Sequence, residues 1–87
     1  MAIASVADAA TSQTLLASAN RNGCSVFNDS TEILYLAIGV QTVTTALYSV
    51  KLGPGDYWEA PDRLAAVAGL SGIWANNASG AALVTEW

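Results

Sequence analysis

The stretch Ala46-Leu47-Tyr48-Ser49-Val50-Lys51-Leu52-Gly53-Pro54-Gly55-Asp56-Tyr57-Trp58-Glu59-Ala60 decides the fold class. Ala46, Tyr48, Val50 and Leu52 fall on one side of a two-residue period, and Ser49 and Lys51 on the other, so Ala46 to Leu52 reads as a strand with one buried face. Leu47 breaks the polar side. Gly53-Pro54-Gly55-Asp56 is the strongest turn signal in the chain, because proline presets φ and glycine supplies positive φ on either side of it. Tyr57 to Ala60 starts a new strand, which Pro61-Asp62 stops.

Before this stretch, Ile33 to Gly39 places Leu34, Leu36 and Ile38 on one face and Ile33, Tyr35 and Ala37 on the other, as in a central strand covered on both sides. Cys24 to Asn28 is a further strand, with Asn28-Asp29-Ser30 read as its closing turn and Asn20-Arg21-Asn22-Gly23 as the turn before it. Residues 40 to 45 suit a loop or an edge. Arg63 to Leu70 is either one helical turn or a loosely paired strand, Gly72 to Ala75 is a strand, Asn76 to Gly80 turns the chain, and Ala81 to Trp87 closes it. Short strands at about 8 to 12 residue spacing predict an all-β fold, a small antiparallel β-sandwich or flattened barrel, over residues 16–87. Its core is expected to draw on Val26 or Phe27, Leu34, Leu36, Ile38, Tyr48, Val50, Leu52, Ile73 and Val84. Residues 1–10 carry no sustained apolar period and read as an arm either mobile or docked on a neighbour, with a short helix or a strand paired in trans as alternatives. Thr11 to Ala19 is compatible with an extended segment, and residues 1–15 together are expected to form an extended N-terminal arm outside the sandwich.

Composition narrows the function. In 87 residues, 53% are hydrophobic and 11% charged, against about 25% charged in ordinary soluble domains. A surface so short of charge is expected to be covered by protein or lipid. The longest strictly apolar run, Ile33 to Ile38, is far below the roughly 20 residues of a membrane span, so protein cover is expected and no membrane. The net charge of −4, with only Arg21, Lys51 and Arg63 basic and scattered, argues against nucleic acid. The lone Cys24 precludes an intrachain disulfide, and the absence of histidine removes the common zinc sites and Ser-His or Cys-His nucleophile pairs. No cofactor is expected.

Several pieces in order carry a resemblance: Leu16 to Gly23, Val26-Phe27-Asn28-Asp29-Ser30, Leu34-Tyr35-Leu36-Ala37-Ile38-Gly39, Tyr48 to Glu59, Gly72-Ile73-Trp74-Ala75 and Ala82-Leu83-Val84-Thr85-Glu86. Together they resemble the small β-sandwich modules of tailed-bacteriophage virion proteins, found in capsid decoration (cement) proteins and in head or tail fibres. The resemblance implies a structural role on the capsid exterior with the major capsid protein as partner. An apolar sheet on an 87-residue domain predicts self-association, and the resemblance, with the threefold positions of icosahedral shells, implies a homotrimer where no residue here selects three over two. The resemblance carries no catalytic residue over.

Other constellations have plainer accounts. Asp56 and Glu59 around Tyr57-Trp58 could be written as a glycosidase pair, but no further polar residues converge on them, and a turn aspartate with a surface glutamate suffices. Asn28, Asp29 and Glu32 lack the spacing of a calcium loop. Cys24 reads as a small buried hydrophobe, the Asn-X-Ser patterns at Asn28 and Asn77 as turns, and Gly53-Pro54-Gly55 is too short to cradle a phosphate. The tryptophans Trp58, Trp74 and Trp87 are the informative residues, being costly to bury in a small core and favoured in interfaces. With Ile3, Val6 and Leu15 of the arm they form the candidate partner-binding set. A free glycan-binding β module is the competing reading, a neck or tail accessory protein a nearer variant, and an enzyme a distant third.

Overall fold

The computed structural model describes residues 2–76 and 79–87 as two four-stranded antiparallel sheets packed face to face. The first sheet runs in the order β1 (Ala2–Ala7), β8 (Gly80–Glu86), β3 (Cys24–Ser30) and β6 (Tyr57–Glu59). The second runs β2 (Gln13–Leu16), β7 (Leu70–Trp74), β4 (Leu34–Ile38) and β5 (Val50–Leu52), and one short helix, α1 (Arg63–Ala68), bridges β6 and β7. Only the β4–β5 connection stays within a sheet. The Gly53-Pro54-Gly55-Asp56 turn is therefore a corner that carries the chain from one sheet to the other.

The expected sandwich is present, and four of the expected details are corrected. The arm over residues 1–15 is no arm: β1 pairs with β8 in unbroken register from Ala2 opposite Glu86 to Ala7 opposite Ala81, and β2 pairs with β7. Its weak alternation hid this because β1 is a sheet edge whose side chains are mostly exposed. Asn28-Asp29-Ser30 is no turn, since β3 runs through it. The strand expected from Ala46 begins only at Val50, and Tyr48 lies exposed against Tyr35, ring centroids 4.8 Å apart, instead of in the core. Ile73 faces away from the core beside Tyr35. The turn and glycosylation readings at Asn77-Ala78 fall outside the described residues.

The core is built from the alternate residues the period predicts: Cys24 and Val26 on β3, Leu34 and Leu36 on β4, Leu52 on β5, and Val84 on β8. Trp74, Leu70 and Leu15 complete it. A register shift between Thr14 and Leu16 lets adjacent Leu15 and Leu16 both turn inward. Leu15 fills the space above Gly72, where an added Cβ would stand 2.7 Å from Leu15 Cδ1. Helix α1 starts on Asp62, whose Oδ1 accepts from Ala65 N at 2.8 Å. Its last carbonyls are taken by Arg21 Nη1 on Ala66 O (2.7 Å) and by Ser18 Oγ and Ala19 N on Val67 O.

A polar chain crosses the core. Trp74 Nε1 of the second sheet donates to Ser30 Oγ of the first (3.1 Å), and Ser30 Oγ donates to Asn28 Oδ1 (2.6 Å). Asn28 Nδ2 donates back to Leu52 O in the second sheet (3.0 Å) and to Glu32 O (2.9 Å). Asn28 is fully buried while the next residue, Asp29, is exposed on the opposite face.

Two substitutions at these neighbours separate their roles. Asn28→Asp sets a carboxylate against two carbonyls and should cost about 3 kcal/mol or more in urea unfolding, whereas Asp29→Asn should stay within about 0.5 kcal/mol. Deleting residues 2–12 removes β1 and the Ala9 carbonyl that Trp74 N–H uses (3.0 Å). The deletion should lower the melting temperature markedly by circular dichroism, where a detached arm would leave it unchanged.

Candidate functional site

The two outer faces of the sandwich differ. On the second sheet, Ala37 and Ser71 point away from the core yet are buried, because the β4–β5 connection folds over them. Ser71 Oγ donates to Gly39 O (3.0 Å) and accepts from Gln41 N (2.9 Å), and Val43, itself buried, donates its N–H to Ser12 Oγ (3.0 Å). This connection leaves a shallow cleft of about 190 Å³ lined by Ala37, Gln41, Thr42, Leu47, Tyr48 and Ser49, below the roughly 300 Å³ at which ligand pockets begin.

Among the described residues no connection folds over the first sheet, although Ser25 on its outer side is buried. Register places Ile3, Thr85, Ser25 and Glu59 in one outward row, Ser5, Leu83, Phe27 and Tyr57 in the next, and Ala7, Ala81 and Asp29 in a third. Trp87 extends the face: its N–H and carbonyl bond Gly23, and its indole lies against Gly23 where a Cβ would stand 2.5 Å from the ring. Ile3 is 72% exposed, Tyr57 58% and Trp87 38%, and Phe27 and Leu83 are half-buried. The only charges in the three rows are Glu59 and Asp29, at the β6 side, where Glu59 Oε1 accepts from Tyr57 OH at 3.0 Å.

Of the candidate partner-binding residues, Ile3 and Trp87 share this open face. Val6 and Trp58 point the other way and pack half-buried against the core. Leu15 and Trp74 are corrected outright: both are buried core residues, Trp74 with no exposed surface, and neither can touch a partner. Tyr57, Phe27 and Leu83 belong to the face and were not expected there. The signal lay in the doublets Val26-Phe27 and Leu83-Val84, which put an apolar residue on each side of a strand.

The remaining polar features are structural. Asp56 Oδ2 accepts from Gly53 N at 2.8 Å, as a turn aspartate does. Asn28, inside, and Asp29, outside, cannot converge on one ion, and among the described residues no group of three or more acidic or cysteine side chains could hold a metal. Among the same residues no helix is long and apolar enough to cross a membrane. Arg21, nearly buried, pairs through Nε with Glu86 Oε1 at 3.1 Å and so ties the turn before β3 to β8. Burial pushes the Cys24 thiol above its usual range; Arg21 pulls it down and Glu86 pushes it up by smaller amounts. No family model, curated protein or solved structure matches the chain.

A folded-state pKa above the unfolded value contributes stability that is complete below the thiol's ordinary pKa, about 8.5, and is lost as pH rises past it. Urea midpoints should therefore fall between pH 8 and pH 10 more steeply for the natural chain than for Cys24→Ala, and native Cys24 should react with a thiol reagent only on unfolding.

Proposed function

We propose that this chain is a structural protein of a tailed-bacteriophage virion, a capsid decoration protein that sits on the exterior of the shell and bridges neighbouring major capsid subunits. The observation that carries the reading is the asymmetry of the sandwich: one outer face is covered by the chain's own connection, while the other presents Ile3, Phe27, Leu83, Tyr57 and Trp87 with charge only at one side. Apolar surface of this kind marks a protein interaction site, and aromatic residues are enriched there. The shortage of charge across the whole chain and the resemblance to phage virion modules point the same way.

In this reading the protein adds no chemistry. It binds the assembled shell in preference to dissociated subunits, so its binding free energy adds to the stability of the assembled state. Many modest contacts on one lattice act together. A neck or tail accessory protein would use the same face on a different partner, and copy number per virion separates the two: hundreds for the shell, a dozen or fewer for the neck or tail.

The test is decoration of purified shells. Tyr57→Glu and Leu83→Glu should each lower occupancy at least tenfold, with near-natural circular dichroism confirming the fold for the exposed Tyr57 variant. Leu47→Glu and Leu64→Glu, at exposed positions elsewhere, should not change it. Unchanged decoration by the first pair, or loss with the second, would move the docking surface off the first sheet.

A further inference from the structure

Among the described residues, β1 pairs only with β8, and no strand lies along its outer edge. Asp8 N donates to Gly80 O (3.3 Å), in register with the β1–β8 pairing. The alternation of an antiparallel ladder then turns the backbone groups of Ala2, Ala4 and Val6 toward β8, and those of Ile3, Ser5 and Ala7 outward. The other three sheet edges are guarded in the ways that prevent strand addition. β5 has three residues with Lys51 at its centre, β6 has three and runs into Ala60-Pro61, and β2 has four with a register shift. β1 has six residues, no proline, no charge and no shift.

We propose that β1 is a self-pairing edge, through which two copies of the chain join antiparallel across a two-fold axis at Ser5 and merge their first sheets into one. The sequence Ala2-Ile3-Ala4-Ser5-Val6-Ala7 is complementary to itself in that register. A two-fold axis normal to the sheet keeps both outer faces on one side, so outward-bonding residues must oppose outward-bonding residues. Ser5 meets Ser5, and Ile3 meets Ala7, each pair exchanging two backbone hydrogen bonds. Ala4 meets Val6 on the inner side. No charged residue lies between Ala2 and Ala7, so two copies of a chain with net charge −4 approach along an uncharged edge.

The contact is isologous and closes with two copies. It takes the place of the three-fold grouping that the resemblance implies, and it does not depend on whether the chain decorates a shell. It also sets the two open faces side by side, so that Ile3 of one copy and Ala7 of the other continue a single apolar surface.

Sedimentation of the full chain should give twice 8.9 kDa, reversible on dilution. Ser5→Pro removes an outward N–H without touching the β1–β8 ladder, and should give a monomer with unchanged circular dichroism. The register is read by cysteine cross-linking. Paired Ser5 Cα atoms would stand about 5.5 Å apart, within disulfide reach, so Ser5→Cys should cross-link to itself on mild oxidation. Ala7→Cys should not, and Cys24 is buried and does not compete. Should Ser5→Pro fail to fold, the cross-linking pair decides alone. A chain that stays monomeric to millimolar concentration, as it would if the edge took a strand from a different protein, overturns the proposal. So does an oligomer in which Ser5→Cys does not cross-link.

Discussion

The hydrogen-bond chain from Trp74 through Ser30 and Asn28 to Leu52 is the constraint on which the rest of the sandwich depends. Apolar side chains hold two sheets together without fixing how they are aligned, because hydrophobic burial has no direction. A buried asparagine does fix it. Asn28 satisfies its amide only when Leu52 and Glu32 present their carbonyls to it, and Ser30 stands between it and the Trp74 indole in one arrangement only. A one-residue slip of β3 would send Asn28 outward and Asp29 into the core, a charge among apolar groups. The backbone of Asn28 adds to this by pairing with the corner, donating to Asp56 O (2.9 Å) and accepting from Gly55 N (2.8 Å). Asn28 thus links the alignment of the sheets to the Gly53–Asp56 turn, whose own shape is held by Asp56 on Gly53 N.

With the sheets fixed, the course of the connections decides which surfaces stay open. Among the described residues, the outer face of the second sheet is covered by a connection and that of the first is not. The connection between β4 and β5 is the longest that carries no helix, and its hydrogen bonds to Ser71 and Ser12 commit it to the second sheet. The first sheet is left bare, with apolar residues where a free-standing monomer would place lysine and glutamate. The low charge count of the sequence and the bare face are one fact at two levels.

Strand positions were legible in the sequence wherever alternation met a turn signal, as at Leu34–Ile38 and Tyr57–Glu59. They were hidden at β1, where an edge strand needs no apolar face, and at Asn28-Asp29-Ser30, where residues favoured in turns sit inside a strand because their side chains bond across the core instead of to their own backbone. Tyr48 followed the right period in the wrong element, since the connection leaves the sheet before Val50. Trp74 was misread because its size suggested an interface, while its indole N–H had a partner in Ser30 that made burial affordable. The open face was within reach from the doublets Val26-Phe27 and Leu83-Val84, but only the pairing of β8 with both β1 and β3 gathers those residues onto one surface.

That pairing also shapes how the fold forms. β8 lies between β1 and β3, so the first sheet has no continuous ladder until the last strand is in place. Six of the seven connections between successive strands cross from sheet to sheet, leaving only β4 and β5 able to pair as sequence neighbours. Pairing that depends on residues far apart in sequence requires loop closure before any reward, and so folds slowly. Residues 2–7 pair with no strand of the first sheet other than β8, so their backbone groups have no sheet partner until β8 joins them. The bare edge that remains after folding is half of what the unfolded chain exposes there, and β8 determines which half.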